Sequence, residues 1–172
     1  GLDEPTEGNI IINGQDITKF SEDELAELRS KNFGFIFQNF NLIPTLTALE
    51  NVTLSAELNG SNETQKKSTE LLNLVGLTNR NHHYPSQLSG GEQQRLSLAR
   101  AFINEPSIVL ADEPTGNLDS ENSKRILDLM TDLHRNKKST IALVTHESDV
   151  AKKAERIIVM DDGKIVQDSL PF

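Results

Sequence analysis

Residues 108–119 read Ile-Val-Leu-Ala-Asp-Glu-Pro-Thr-Gly-Asn-Leu-Asp, and this stretch decides the fold. The apolar run Ile108-Val109-Leu110-Ala111 lies between Pro106 and Pro114, which predicts a short, buried parallel strand. Asp112 and Glu113 then stand at its C-terminal end, where open α/β sheets place their ligand chemistry. An aspartate there can hold the Mg²⁺ of a nucleotide, and a glutamate beside it can orient water towards a γ-phosphate. Taken alone, the pair reads equally as a turn whose carboxylates cap the next helix.

The next signal lies upstream, at Leu88-Ser89-Gly90-Gly91-Glu92-Gln93-Gln94-Arg95. Ser89 with Glu92 three residues on is a capping box, which predicts a helix running to about Glu105, before Pro106. Leu96, Ala99 and Ile103 supply its buried stripe. Capping explains the serine and the glutamate but not the two glycines. Each glycine costs about 1 kcal/mol against alanine in a helix interior, and less at its start. Two bare positions there expose backbone N–H groups at the positive end of the helix, a seat for a phosphate.

With both segments in hand, the sequence resembles the ATP-binding cassette (ABC) ATPases, and LSGGEQQ is similar to their signature motif. The likeness covers nearly the whole chain, in the family's order. Gln38, after Phe33-Gly34-Phe35-Ile36-Phe37, matches the Q-loop glutamine, and Ile108 to Glu113 matches the Walker B strand. Asn117-Leu118-Asp119 matches the D-loop, and His146, closing Thr140-Ile141-Ala142-Leu143-Val144-Thr145, matches the switch histidine. The resemblance implies that Glu113 and His146 are catalytic. It implies that Gln38, Ser89, Gly90, Gly91, Glu92, Gln93 and Asp119 meet ATP, and that Asp112 and Gln38 serve Mg²⁺. Taken singly, Gln38 and His146 read as ordinary polar residues at strand ends; five motifs in order carry the match.

These ATPases grip the β- and γ-phosphates with a P-loop, G-x-x-x-x-G-K-[ST]. No such segment occurs in residues 1–172. Lys138-Ser139-Thr140 lacks the glycine-rich lead-in and precedes a predicted strand instead of opening a helix. In the family, a stretch similar to Gly1-Leu2-Asp3-Glu4-Pro5-Thr6-Glu7-Gly8 follows the P-loop helix. The expectation is therefore a sequence that starts part-way through the protein, with the first strands and P-loop missing. The alternative is a genuine lack of the P-loop in a non-catalytic interaction protein. Retention of Glu113, His146 and LSGGEQQ favours the first.

Composition narrows the classes further. A length of 172 residues predicts one domain with a sizeable core. The net charge of −9 argues against nucleic acid held on a basic face. It also argues, with the absence of long coiled-coil insertions, against an ABC ATPase of DNA repair, chromosome structure or translation. The lack of cysteine excludes disulfides and thiolate metal sites. His82 and His83 have no i,i+4 histidine partner and read as a solvated loop.

The organisation predicted is α/β: one domain over 1–172, with a P-loop NTPase sheet core in 1–38 and 105–172 and a helical signature subdomain inserted over about 39–104. Asn9 to Gly14 reads as an antiparallel β edge with a turn. Ser21 with Glu24 and Thr47 with Glu50 are further capping boxes opening helices. The polar residues Ser61 to Lys67 read as a solvated hinge and early helix, which becomes apolar at Leu71 and stops at Gly76. Arg156 to Gln167 reads as a hairpin turning at Asp161-Asp162-Gly163.

The run Gln38 to Val52, together with PTGNLDS, resembles the lipoprotein-releasing and macrolide-exporter ATPases. That likeness implies an ATP-hydrolysing subunit, peripheral on the cytoplasmic face of the cell membrane. Its implied partners are a second copy of the subunit and a permease with a large extracytoplasmic domain. Phe40, Leu42, Ile43, Pro44 and Leu46 lie where such proteins receive a permease helix; they read equally as residues packed under the helical subdomain.

Overall fold

The computed structural model describes residues 3–169; Gly1 and Leu2, at the head of the stretch compared with the segment after a P-loop helix, lie outside them. The centre is a parallel sheet of β3 (Phe33–Ile36), β4 (Ile108–Asp112) and β5 (Thr140–Val144), in that order. Ile36 pairs with Ala111 and Asp112 with Val144, so all three strands end at the same edge. Each strand therefore delivers its following loop to one place: Gln38 after β3, Glu113 after β4 and His146 after β5.

The strand predicted over 108–111 forms, but only one of its faces is covered. Val109 and Ala111 are buried, whereas Leu110 is 37% and Val144 of β5 63% exposed. The expectation of a fully buried strand is corrected in this respect. Four apolar residues in a row signal two buried faces, yet among the described residues only one face of the sheet meets the core.

The helices start where their caps predict. Ser21 opens α1 (Glu22–Asn32), Thr47 opens α2 (Ala48–Leu58) and Ser89 opens α4 (Gly90–Phe102), each with both halves of the capping box formed. Between α2 and α4, α3 (Thr64–Leu74) runs to the turn at Gly76, which has φ +74°. Leu96, Ala99 and Ile103 are buried as expected, in one core with Val52, Leu72 and Val109. α4 ends at Phe102, not near Glu105. Glu105, the residue before Pro106, takes φ +49°, outside the right-handed helical region that a following proline disfavours.

After β4, α5 (Ser120–Lys137) turns Ile126, Leu127, Met130 and Leu133 inward, at the 3–4 residue spacing of an amphipathic helix. A short α6 (Ser148–Ala151) follows β5. The two antiparallel hairpins are β1 (Ile11–Ile12) with β2 (Gln15–Asp16) and β6 (Ile157–Asp161) with β7 (Lys164–Ser169). Their turns are Asn13-Gly14 and Asp162-Gly163, all four residues at positive φ, the pairing that matches the twist of the flanking strands. No helix among the described residues is long and apolar enough to cross a membrane.

Candidate nucleotide site

Glu113 follows β4 in the left-handed region, at φ +42°. That conformation costs a residue with a side chain about 1–2 kcal/mol and persists only where its surroundings enforce it. Here the Glu113 N–H donates to Val144 O at 3.0 Å, and its carbonyl accepts from the Gly116 N–H at 3.1 Å. The kink re-aims the Glu113 side chain from the strand direction towards the loops after β3 and β5. Its Oε1 lies 2.5 Å from His146 Nδ1.

Gly116 marks where Gln38 joins. A Cβ at Gly116 would stand 2.9 Å from Gln38 Nε2 and 3.0 Å from Glu113 Oε2, so a side chain there would push the amide and the carboxylate out of their present positions. Asn117, four residues after Glu113 and two before Asp119, ties the loops together: its Nδ2 donates to Gln38 O at 3.1 Å and Asn39 Oδ1 at 3.3 Å. Asn117 was legible only as part of a motif; its role as a bolt between two loops required the structure. Gln38, Glu113 and His146, predicted from separate strands, are thus brought together.

The hydrogen bond from Glu113, and then its charge, hold the His146 imidazole above its ordinary value of 6.5. The raised value fixes the sign of the linkage: the pair's stabilisation is complete below about pH 6.5 and is lost as pH climbs through the higher folded-state value. The imidazole is exposed, so solvent and salt weaken this contact.

Asp112 ends β4 with an exposed carboxylate that has no hydrogen-bond partner among the described residues. Those residues contain no cluster of three or more His, Cys, Asp or Glu able to hold a metal ion by themselves. A lone carboxylate plus the Gln38 amide does fit Mg²⁺, which commonly takes one or two protein oxygens and completes its shell with phosphates and water.

At the start of α4, Ser89 Oγ accepts from the Glu92 N–H at 3.3 Å, and the Ser89 N–H donates to Glu92 Oε2 at 2.8 Å. Glu92 Oε1 also accepts from Arg80 Nε at 2.9 Å. The Ser89 N–H chiefly, with Arg80 adding, holds the Glu92 carboxyl down at about 2. Glu92 is thereby committed to the cap. Gln93 folds back to donate to Leu88 O at 3.1 Å.

The two glycines of this turn have different reasons. A Cβ at Gly90 would meet nothing nearer than Leu118 at 3.7 Å, so its bareness leaves the helix start open. A Cβ at the buried Gly91 would lie 2.5 Å from Asn122 Oδ1 on α5. Asn122 is itself held by Asp119, whose Oδ1 accepts the Asn122 N–H at 2.9 Å and whose Oδ2 accepts Nδ2 at 2.7 Å. Gly91 therefore lets α4 close onto the cap of α5, a contact with no signal in the sequence. Gly91→Ala is expected to destabilise the protein by about 1–3 kcal/mol in urea unfolding. Adding Asn122→Ala should remove most of that cost; the same penalty in both backgrounds would show that Asn122 is not what Gly91 makes room for.

The parallel strands with their loops converging at one edge, and the capped glycine turn beside them, define a nucleotide-type α/β cassette. The family model for ABC transporters matches residues 1–116. The macrolide export ATP-binding/permease protein MacB of Brucella abortus is 46% identical over 170 residues, 98% of this chain and 26% of that protein. The ABC transporter ATP-binding protein YtrE of Bacillus subtilis is 48% identical over 165 residues, 95% of this chain and 71% of YtrE. A dimeric structure of an ATP-binding cassette in a post-hydrolysis state, bound to ADP and Pi, superposes with a TM-score of 0.90 at 41% identity. That alignment covers 99% of this chain and 76% of the other. The chain belongs to the ABC transporter ATP-binding family. It spans about a quarter, 26%, of the macrolide exporters it matches.

Proposed function

We propose that this chain supplies part of an ATP-hydrolysing site that drives a membrane permease, in export or lipoprotein release. The observation that carries this reading is the meeting of Glu113, His146 and Gln38 at the ends of three parallel strands. Glu113 acts as general base: it orients a water, takes its proton, and the water oxygen displaces ADP from the γ-phosphorus. His146 Nδ1 holds the Glu113 carboxylate in place, and the imidazole's other nitrogen is available to the γ-phosphate. Asp112 and Gln38 offer oxygen ligands to Mg²⁺, which when bound offsets phosphate charge.

We assign Ser89, Gly90 and Gly91 to the nucleotide of a second copy of the cassette, with Glu92 and Gln93, expected from the sequence to meet ATP, shaping that turn through the cap and the Leu88 carbonyl, and with Asp119 linking the two sites. A homodimer is supported by the dimeric cassette of the same fold. The MacB relatives, named as ATP-binding/permease proteins, support a permease partner. On this reading the subunit sits on the cytoplasmic face of the membrane, its permease bears a large extracytoplasmic domain, and residues of about 39–104 form the helical subdomain that the permease moves with.

Residues 1–172 contain the carboxylates of the site but no glycine-rich backbone cradle with its lysine. A net charge of −9 further opposes an anionic ligand. Calorimetric titration of these residues alone with Mg-ATP is therefore expected to give an affinity weaker than about millimolar, poorer than roughly −4 kcal/mol. The full gene product is expected to hydrolyse Mg-ATP. Absence of hydrolysis there, or micromolar binding by residues 1–172 alone, would contradict the assignment.

A further inference from the structure

The strained turn at Glu113 is held by the last residue of LSGGEQQ, to which no part in the chemistry has been given. Gln94, in the second turn of α4, is fully buried, and its Nε2 donates to Pro114 O at 2.6 Å. Pro114 is buried as well. Its carbonyl accepts no backbone hydrogen bond among those of the turn, which go instead to Glu113 O and Thr115 O. Without Gln94 this buried acceptor would be bare, and the peptide plane after Pro114 would lose the contact that fixes it. The other end of the Gln94 amide, Oε1, has no partner among the described residues.

That asymmetry argues against a merely structural part. A buried amide kept only for stability would satisfy both of its ends, and an apolar side chain of the same volume would pack at position 94 without leaving Oε1 unpaired. Gln94 shares a helix face with Leu98 and Ala101, both buried, so it is a polar residue in an apolar stripe. Its single hydrogen bond goes to the residue after Glu113, on a loop 20 residues further along the chain.

We propose that Gln94 is a positioning residue for Glu113: through Pro114 O it fixes the left-handed turn that aims the Glu113 carboxylate, and ties that turn to the start of α4. The proposal rests on the reading of Glu113 as general base. Three restraints then hold the turn from separate elements: Val144 O on the Glu113 N–H, Gln94 on Pro114 O, and Thr115 Oγ1 on Glu147 Oε1 at 3.3 Å. Only Gln94 comes from the helix that begins at Ser89. A shift of α4, whose first turn is assigned to the other copy's nucleotide, is thereby passed to the general base of its own copy.

The test is steady-state ATPase kinetics of the full gene product carrying Gln94→Leu and, separately, Gln94→Glu. Gln94→Leu keeps the volume, removes the unpaired Oε1 and loses the donor, so opposing terms leave stability little changed while the turn is released. The expected result is a kcat lower by about tenfold or more, with KM for Mg-ATP within about threefold and an unchanged unfolding midpoint. Gln94→Glu can donate to Pro114 O only when protonated, so its activity relative to wild type should rise as pH falls. A folded Gln94→Leu protein with wild-type kcat would overturn the proposal, as would a Gln94→Glu profile parallel to wild type. Should Gln94→Leu fail to fold, the Gln94→Glu profile decides. An inactive wild type would instead strike at the functional reading, and an active Glu113→Gln at the role of Glu113, so the three failures are distinguishable.

Discussion

Glu113→Gln is expected to lose turnover by roughly 10²- to 10⁴-fold, the range that removal of a positioned general base produces. The glutamine keeps the shape, so the φ +42° turn and its hydrogen bonds to Val144 and Gly116 persist. An amide can still contact His146, but it cannot take a proton from water. Affinity for Mg-ATP should be retained, because a carboxylate facing the γ-phosphate becomes neutral and its repulsion is removed. Assays of the full gene product at saturating Mg-ATP, with binding measured separately, check both halves. Turnover near the wild-type rate would remove Glu113 from its assigned role.

The alkaline limb of the wild-type rate belongs to the same pair of residues. Glu113 and His146 share a contact of 2.5 Å, and Glu113 holds His146 above its ordinary value of 6.5. His146 can donate from Nδ1 to Glu113 and from its other nitrogen to a γ-phosphate at the same time only as the protonated imidazole. The site geometry therefore places the working form on the acid side of the raised His146 value, and turnover is expected to fall as pH climbs through it.

Much of this was legible in the sequence because it depends on local rules. Three capping boxes fixed the starts of α1, α2 and α4, since a serine or threonine with a glutamate three residues later satisfies its orphan N–H groups wherever it occurs. Asp162-Gly163 marked its hairpin for an equally local reason, as the type I′ turn needs two positive φ values. The meeting of Gln38, Glu113 and His146 followed only through family resemblance, and the strand order came only from the structure, because pairing across a sheet is not written in any one segment. What stayed hidden depends on contact between distant elements. Gly91 reads like Gly90 until Asn122 is seen against it. Gln94 reads as part of a polar run until its amide is found on Pro114. The exposure of Leu110 was misjudged because an apolar run reports what a strand tolerates, not which neighbours cover it.

The second large effect concerns Ser89. Its side chain is exposed at the open start of α4, beside the uncrowded Gly90. Ser89→Arg should cost the fold only the cap, about 1 kcal/mol. At the same time it places a long cationic side chain where the N–H groups of the helix start would receive another copy's phosphate. Binding of ATP by the single chain should be unaffected, whereas closure of two copies around it should fail. Ser89→Ala provides the control, since it loses the same cap without filling the seat, and it should still pair.

The measurement that bears most directly on the composite site is therefore the size of the full gene product in Mg-ATP, by light scattering on a sizing column. It is made in the Glu113→Gln background, where hydrolysis does not reopen the pair. Glu113→Gln alone and with Ser89→Ala should run as ATP-dependent dimers, and Glu113→Gln with Ser89→Arg as a monomer. An undiminished dimer with Ser89→Arg would mean that Ser89, Gly90 and Gly91 form a capped helix start and nothing more, and the two-copy site would be wrong.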